Sequence, residues 1–88
     1  MRDLVPTNKY KKDIRRLDKR GYDMGKLDTV MEAIRIDGNA SPECRPHKLS
    51  GDWDGYWECH VASDWLLIYN VDENTVTLYR TGTHSDLF

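Results

Sequence analysis

Three histidines, one aspartate and one arginine in the second half of the chain can move protons or hold negative charge. His47, His60 and His84 each lie near an end of a predicted strand, Asp64 follows His60 by four residues, and Arg80 precedes His84 by four. Neighbouring antiparallel strands bring alternate ends together, so we expect these side chains at one rim of a sheet. Taken singly, each histidine is more often a surface residue or a satisfied polar group.

Imidazoles, a carboxylate and a guanidinium suit RNA transesterification. In that reaction the 2′-hydroxyl loses a proton as it attacks the adjacent phosphorus, and the 5′-oxygen gains one as it leaves. Histidine, with an unperturbed pKa of ~6.5, can act near neutral pH either as the base that takes the first proton or as the acid that gives the second. Arg80 would stabilise the extra charge of the phosphorane. Trp65 and Phe88 are candidates to stack on a displaced base, although Leu87 and Phe88 can equally plug the edge of the core.

Two other kinds of chemistry are weighed against this one. A metal site would use His47, His60, Asp64 and His84, but a His-x₃-Asp spacing across a turn is no strong metal signature, so we expect neither metal nor cofactor. The cysteines form no CxxC pair and are expected to be reduced thiols.

The first half of the chain predicts a short edge strand and two helices. The segment "DLV" fits a strand that Pro6 stops, and "TNKYKKDIRRLDKRG" fits a helix with Tyr10, Ile14 and Leu17 on one face. A second amphipathic helix follows and ends at Gly38. The pair is expected to pack on an apolar surface.

The opposite face of the first helix is strongly basic. Its cations include Lys9, Lys12 and Arg16. Such a face is either solvated or tracks the phosphates of a nucleic acid. The whole chain has a net charge of −2, with twelve Lys/Arg against eight Asp/Glu in residues 1–49 and one against seven in residues 50–88. A mildly acidic chain with a basic first half can still bind phosphates locally.

After a loop at 39–46 the pattern changes to that of strands. "GYWECHV" and "TVTLYRTG" alternate, whereas "DWLLIYNV" is a continuous apolar run, as expected for a central strand. The order predicts one α+β domain over residues 1–88, with the helical pair on one face of a small, mainly antiparallel sheet of four or five strands. No stretch resembles a signal peptide or a membrane span, so a cytoplasmic location is expected.

The second half also resembles a known family. "HKLSGDWDGYWECHVASDWLLIYNV" followed by "LYRTGTHSDLF" closely resembles the YafQ branch of the RelE/ParE superfamily of bacterial toxins. The match covers residues 47–88 densely and the helical pair more loosely. Several uncommon residues recur together at fixed spacing, which makes the resemblance specific.

The resemblance implies a RelE-like fold and an mRNA interferase, a toxin that cleaves mRNA in the ribosomal A site. It also implies a cognate antitoxin of the DinJ type, with operator DNA bound only through that antitoxin. The implied active-site residues are His47, His60, Asp64, Trp65, His84 and Phe88. Arg80 corresponds to an arginine associated with the scissile phosphate.

Roles within this set are assigned as hypotheses. His84 is the expected general acid and Asp64 the expected general base, while His47 and His60 orient the substrate and stabilise charge. An exposed carboxylate with a pKa near 4 is a weak base, so His47 or His60 can also fill that role. The main rival function is a non-catalytic domain of the same fold that acts with its antitoxin as a DNA-bound corepressor.

Overall fold

A computed structural model describes residues 1–88 as a five-stranded mixed sheet with two helices packed on one face. Along the chain the elements are β1 (Asp3–Pro6), α1 (Asn8–Lys19), α2 (Met24–Asp37), β2 (His47–Lys48), β3 (Trp57–Ala62), β4 (Trp65–Val71), β5 (Thr75–Gly82) and α3 (His84–Leu87). The α+β architecture predicted from the sequence is confirmed. No helix has the length and apolar character needed to cross a membrane.

Both long helices begin and end at the residues that their chemistry favours. The side chain of Thr7 accepts a hydrogen bond from the Tyr10 N–H at the start of α1, and Asp23 caps α2 in the same way through Gly25. Gly38 ends α2 with φ of 86°, a left-handed conformation that costs glycine little.

The sheet has the strand order β1-β5-β4-β3-β2. The β3–β4–β5 meander is antiparallel, as is β2 against β3, whereas β1 runs parallel to β5. β4 is the central strand, and its residues 65–69 are all buried. This position explains the continuous apolar run, because side chains on both faces of β4 are covered.

The main core lies between the sheet and the two helices. From α1 and α2 it takes Tyr10, Leu17, Leu27, Val30 and Ile34, and from the sheet Cys59, Trp65, Leu67, Tyr69, Val76 and Leu78. The opposite face, called the open face below, carries a smaller cluster of Leu66, Ile68 and Leu87 with Leu49, Trp53, Tyr56 and Tyr79 packed around it. No helix of the α1–α2 pair covers that face, and at its rim His47 and His84 stay exposed.

A β-bulge in β5 changes which side chains reach the open face. Tyr69 pairs with Leu78 and Ile68 with Arg80, so Tyr79 is an extra residue in the ladder. Strict alternation after Leu78 would turn Arg80 toward the helices. With the bulge, Arg80 lies opposite Ile68 on the open face instead.

α1 completes the edge of β5 beyond the end of β1. β1 pairs with β5 only over residues 75–78. Further along, the Thr7 hydroxyl donates to the Tyr79 carbonyl at 2.7 Å, and the Asp13 carboxylate accepts from the Thr81 N–H at 3.2 Å. Backbone groups that a neighbouring strand would otherwise bind are thus satisfied by the helix.

The chain leaves β5 through a tight turn into α3. Gly82 has φ of 155°, and a Cβ built there would lie 2.9 Å from Asp86 Oδ2. Thr83 and Asp86 then form a capping box in which each side chain binds the other's backbone N–H. This local geometry places His84 at the first position of α3.

Candidate active site

His84 and Asp64 form a hydrogen-bonded pair at one end of the open face. Asp64 lies in the turn between β3 and β4, and its Oδ1 is 2.9 Å from His84 Nδ1 and 3.3 Å from the His84 backbone nitrogen. The hydrogen bond with the His84 imidazole is the main reason that the pKa of Asp64 lies below its ordinary value, and the bond from the His84 backbone N–H adds to the effect. A carboxylate accepts only, so His84 Nδ1 donates to Asp64 and Nε2 is the nitrogen left for a substrate.

His60 is the nearest imidazole to His84. Their ring centres lie 6.5 Å apart. His60 pairs with Leu66 across β3 and β4, which places its side chain on the open face. Its ring makes no hydrogen bond, and Nδ1 is buried without a partner. The structure therefore brings His60, Asp64 and His84 together, with one imidazole oriented by a carboxylate and the other uncommitted.

His47 lies one row further along the same face, beside a buried carboxylate. His47 Nε2 is 3.4 Å from Glu58 Oε1, and Nδ1 is 3.1 Å from the Arg45 carbonyl oxygen. A carbonyl accepts only, so Nδ1 carries the proton there. Glu58 is 6% exposed and pairs with Ile68, which in turn pairs with Arg80. His47 is thus in the same layer as Arg80 rather than against His84.

Arg80 is held by Asp13 of α1. Its Nε and Nη2 donate to the two carboxylate oxygens of Asp13 at 2.7 and 2.9 Å. Side-chain hydrogen bonds to Asp13 raise the pKa of Arg80 above its ordinary value, so the guanidinium stays charged. Two of its three nitrogens are committed, and only Nη1 remains to meet a phosphate.

Trp65 does not present a ring to the open face, and the prediction that it stacks on a base is wrong. Its side chain is 3% exposed and packs in the core between sheet and helices, with Tyr22 against it edge-to-face. Its Nε1–H donates to Thr81 Oγ1 at 2.9 Å. Trp65 is the first residue of β4, and its side chain lies on the face that the helices cover. A buried indole N–H needs a hydrogen-bond acceptor, which Thr81 supplies.

Phe88 is the aromatic ring that remains accessible. It is 61% exposed, with its ring centre 6.4 Å from that of His84. Leu87 is the residue that plugs the edge of the core, at 8% exposure. Phe88 also meets Trp53 edge-to-face at 5.8 Å, and Trp53 continues to Tyr79 at 5.4 Å. An aromatic cluster that the sequence did not single out therefore borders the histidines.

The cations predicted to bind substrate lie on α1 and differ in how free they are. Lys9 Nζ is 5.9 Å from the centre of the Tyr79 ring, at the border of the aromatic cluster. Lys12 is exposed and makes no hydrogen bond or ion pair. Arg16, in contrast, binds Asp13 at 2.9 Å and lies 3.8 Å from Asp86, so its charge is largely used inside the protein.

The site as a whole offers acid–base chemistry on an accessible sheet face. The structure brings together no three His, Cys, Asp or Glu side chains in an arrangement that would hold a metal ion. The site's residues can instead donate a proton through His84, accept one through His60, and meet negative charge through Arg80.

This fold and this site together define a small toxin of the kind found in bacterial toxin–antitoxin systems. The family described as bacterial toxin of type II toxin-antitoxin system, YafQ, matches residues 2–88, and the chain belongs to this family. The resemblance inferred from the sequence is thereby confirmed, and it extends over the helices as well as the strands.

Curated relatives and solved structures agree with that assignment. The mRNA interferase toxin YafQ of Escherichia coli K12 is 38% identical, over 99% of this chain and 96% of that protein. In the E. coli DinJ-YafQ toxin-antitoxin complex, a chain that is 38% identical matches with a TM-score of 0.88 over 99% of this chain and 97% of its own. A metal-bound toxin from Helicobacter pylori matches with a TM-score of 0.90 at 34% identity, over both chains in full.

Proposed function

We propose that this chain is an mRNA interferase, an endoribonuclease that cleaves messages in the ribosomal A site and so stops translation. The observation that supports the proposal most directly is the pairing of His84 with Asp64, with the uncommitted His60 imidazole 6.5 Å from His84. The chain also belongs to the YafQ toxin family, in which the E. coli relative is named an mRNA interferase.

The geometry supports a definite division of roles. His84, oriented through Nδ1 by Asp64, gives a proton to the departing 5′-oxygen. Asp64 is a poor base, because its pKa is lowered and its oxygen already binds His84. The His60 ring makes no hydrogen bond and takes the proton of the 2′-hydroxyl. This assignment revises the sequence-based hypothesis, in which Asp64 was the base and His60 an orienting group.

Arg80 and His47 serve the charge that develops in the transition state. The phosphorane gains negative charge, and the free Nη1 of Arg80 lies on the face that carries the histidines. His47 contributes from the adjacent row, with Glu58 fixing its ring. Because Asp13 holds Arg80 in one orientation, the guanidinium is preorganised and loses little entropy when substrate binds.

The ribosome is the proposed positioning partner. Two imidazoles and one partly neutralised arginine are a small catalytic set, whereas alignment of the 2′-oxygen can contribute about 7–11 kcal/mol in favourable cases. The exposed cations of α1, with Lys9 beside the aromatic cluster, can bind ribosomal phosphates next to the site. Such a target implies action in the cytoplasm.

A cognate antitoxin is the second proposed partner. A related toxin has been solved in the E. coli DinJ-YafQ complex, so we propose that an antitoxin of the DinJ type neutralises this chain. Operator DNA would be bound only through that antitoxin, since the toxin has a net charge of −2.

The proposed reaction uses no metal ion. The related H. pylori toxin is described as metal-bound, so the point needs its own test. We expect full cleavage activity when the toxin is treated with chelator, freed of it, and then assayed on ribosomes in the magnesium that ribosomes require. Activity that is lost on chelation and restored by one added divalent metal would replace the acid–base mechanism with a metal-assisted one.

Expression without antitoxin tests the function. The wild type, His84→Gln and the neighbouring control Ser85→Ala are induced briefly, and RNA 5′ ends are mapped with and without translation inhibitors. We expect new 5′ ends inside coding regions, dependent on translation, for the wild type and Ser85→Ala only. Intact transcripts in all three strains, or equal growth arrest by His84→Gln, would favour the non-catalytic corepressor.

A further inference from the structure

An ion pair between α1 and α3 joins the basic helix to the segment that carries His84. Arg20 Nη1 lies 2.9 Å from Asp86 Oδ2, and Arg20 Nη2 lies 3.3 Å from Asp86 Oδ1. We propose that Arg20, acting through Asp86, is a positioning residue that holds His84 in its catalytic orientation. This inference rests on the proposed ribonuclease function and adds a residue that does not touch the substrate.

α3 needs an external support because it is too short to be stable alone. It has four residues, and Leu87 is its one buried side chain. Fixing a single helical turn costs more conformational entropy than its hydrogen bonds return. The turn before it contains Gly82, which adds conformational freedom to the segment.

Asp86 is the point at which the support acts. Its Oδ2 accepts a hydrogen bond from the Thr83 backbone N–H at 3.0 Å, while Thr83 Oγ1 accepts from the Asp86 N–H at 3.2 Å. His84 lies between these two residues in the capping box. Any movement of Asp86 therefore moves the backbone of His84. The Arg20 hydrogen bond also lowers the pKa of Asp86 to about 2, so the carboxylate stays charged over the physiological range.

The far end of this support is itself fixed to the sheet. Arg16, one turn before Arg20, binds Asp13 at 2.9 Å, and Asp13 binds Arg80 in β5. A continuous run of alternating charges thus leads from the arginine of the site, along α1, to Asp86. α1 cannot shift away from the sheet without breaking the buried Asp13 contacts.

The partner of the His84 ring cannot hold the segment by itself. The side chains of His84 and Asp64 are 59% and 63% exposed. Exposed charge pairs add little stability, because water and salt compete for both groups. The side chains of Arg20 and Asp86 are 42% and 13% exposed, so their contact is better shielded, through Asp86, than the His84–Asp64 contact. The orientation of His84 therefore depends on the backbone position that Arg20 and Asp86 set.

Kinetics on ribosome-bound message test the proposal. Arg20→Gln is compared with Lys26→Gln, which removes the same charge from α2, where the side chain of Lys26 makes no hydrogen bond or ion pair. We expect kcat to fall about tenfold in Arg20→Gln with KM within about twofold of the Lys26→Gln value, because misplacement affects the chemical step. Arg20→Lys keeps the charge and recovers part of kcat. Equal kcat values for Arg20→Gln and Lys26→Gln overturn the inference.

A double variant separates positioning through Asp86 from any direct role of Arg20. Asp86→Asn keeps a side chain that can cap Thr83 but loses the charge. If Arg20 acts through Asp86, the double variant loses no more kcat than either single variant. Losses that multiply in the double variant mean that Arg20 contacts the substrate by itself.

A measurement without activity distinguishes failure of this inference from failure of the proposed function. The amides of Leu87 and Phe88 donate to the carbonyls of Thr83 and His84. Their hydrogen exchange is expected to be faster in Arg20→Gln than in Lys26→Gln, while exchange in β4 stays equal. If exchange is faster in Arg20→Gln but the wild type cleaves no message, the proposed ribonuclease function is wrong and the ion pair is a structural support only. Unchanged exchange overturns the support itself.

Discussion

Asp13 binds Arg80 with both carboxylate oxygens, at 2.7 and 2.9 Å, across 67 positions of the chain. Asp13 is 1% exposed and also accepts hydrogen bonds from Arg16 and from the Thr81 backbone N–H. One carboxylate thus fastens α1 to the edge of β5 and orients the arginine of the site. The fold and the proposed catalytic site share this contact.

Asp13→Ala is expected to destabilise the protein by about 3–5 kcal/mol, because it leaves the Arg80 charge and the Thr81 N–H without their partner. Urea unfolding followed by tryptophan fluorescence measures the loss. The control is Asp18→Ala, an exposed acid on the same helix, which should change stability by no more than about 0.5 kcal/mol. Equal stability of the two variants would show that Asp13 and Arg80 are held apart by water in solution.

The burial of Trp65 predicts a loss of stability without a loss of chemistry. Trp65→Phe keeps a ring in the core but removes the hydrogen bond to Thr81 Oγ1, at a cost of about 1 kcal/mol for the bond. In a double-mutant cycle, Thr81→Val should cost less in the Trp65→Phe background than in the wild type, because only the Thr81 hydrogen bond to the Leu66 carbonyl is then left to lose. Cleavage per folded molecule is expected to stay within about twofold. A large rise in KM with unchanged stability would instead show that Trp65 contacts the substrate.

Phe88 is expected to bind a base by stacking. Its ring is 61% exposed beside His84, so Phe88→Ala removes little core packing. Stacking contributes about 1–3 kcal/mol per base, which corresponds to a KM raised about 5- to 150-fold. Phe88→Tyr retains the ring and should keep the wild-type KM. If Phe88→Ala and Phe88→Leu both keep the wild-type KM, the ring has no role in binding.

Periodicity predicted the elements of this fold because each element follows a local rule. The helical spacing of Tyr10 and Leu17 and the apolar run of β4 give the helices and the central strand directly. Asp13, three residues after Tyr10, is buried as well, whereas the sequence alone suggested that it lies with the cations on the opposite face. An acid in an apolar stripe signals a buried ion pair, but its partner lies 67 positions away and depends on tertiary structure.

What the sequence did not predict at the site comes from register and from side-chain direction. Arg80 reaches the open face because of the bulge at Tyr79, and no local sequence pattern predicts that bulge. Trp65 resembled an accessible stacking ring, yet its neighbour in the register is Thr81, which binds its indole inside the core. The alternating pattern of β3 did not distinguish Glu58 from its neighbours. Its position beside the site follows from its pairing with His47 across the two strands.

Asp86 predicts an acid-sensitive step in stability. Its pKa is lowered to about 2 in the folded protein from an ordinary value of 3.8. A depressed folded-state pKa stabilises the fold above pH ~4, and this contribution is lost progressively as pH falls from about 4 to about 2. Asp86→Asn should therefore lower stability at pH 7 and flatten the decline over that window. The control is Glu73→Gln, an exposed acid of the β4–β5 turn, which should leave the slope unchanged.

Binding to ribosomes is expected to weaken as salt rises, because Lys9 and Lys12 would displace counterions from phosphates. Each phosphate contact contributes about 0.7–0.9 to the slope of log affinity against log salt. Lys9→Gln and Lys12→Gln should each reduce the slope by about that amount, and the double variant by the sum. Lys26→Gln, on α2, should leave the slope unchanged. Affinity that stays flat between low and moderate salt in the wild type, or equal slopes for all five proteins, would mean that α1 faces solvent and that the ribosome is bound through another surface.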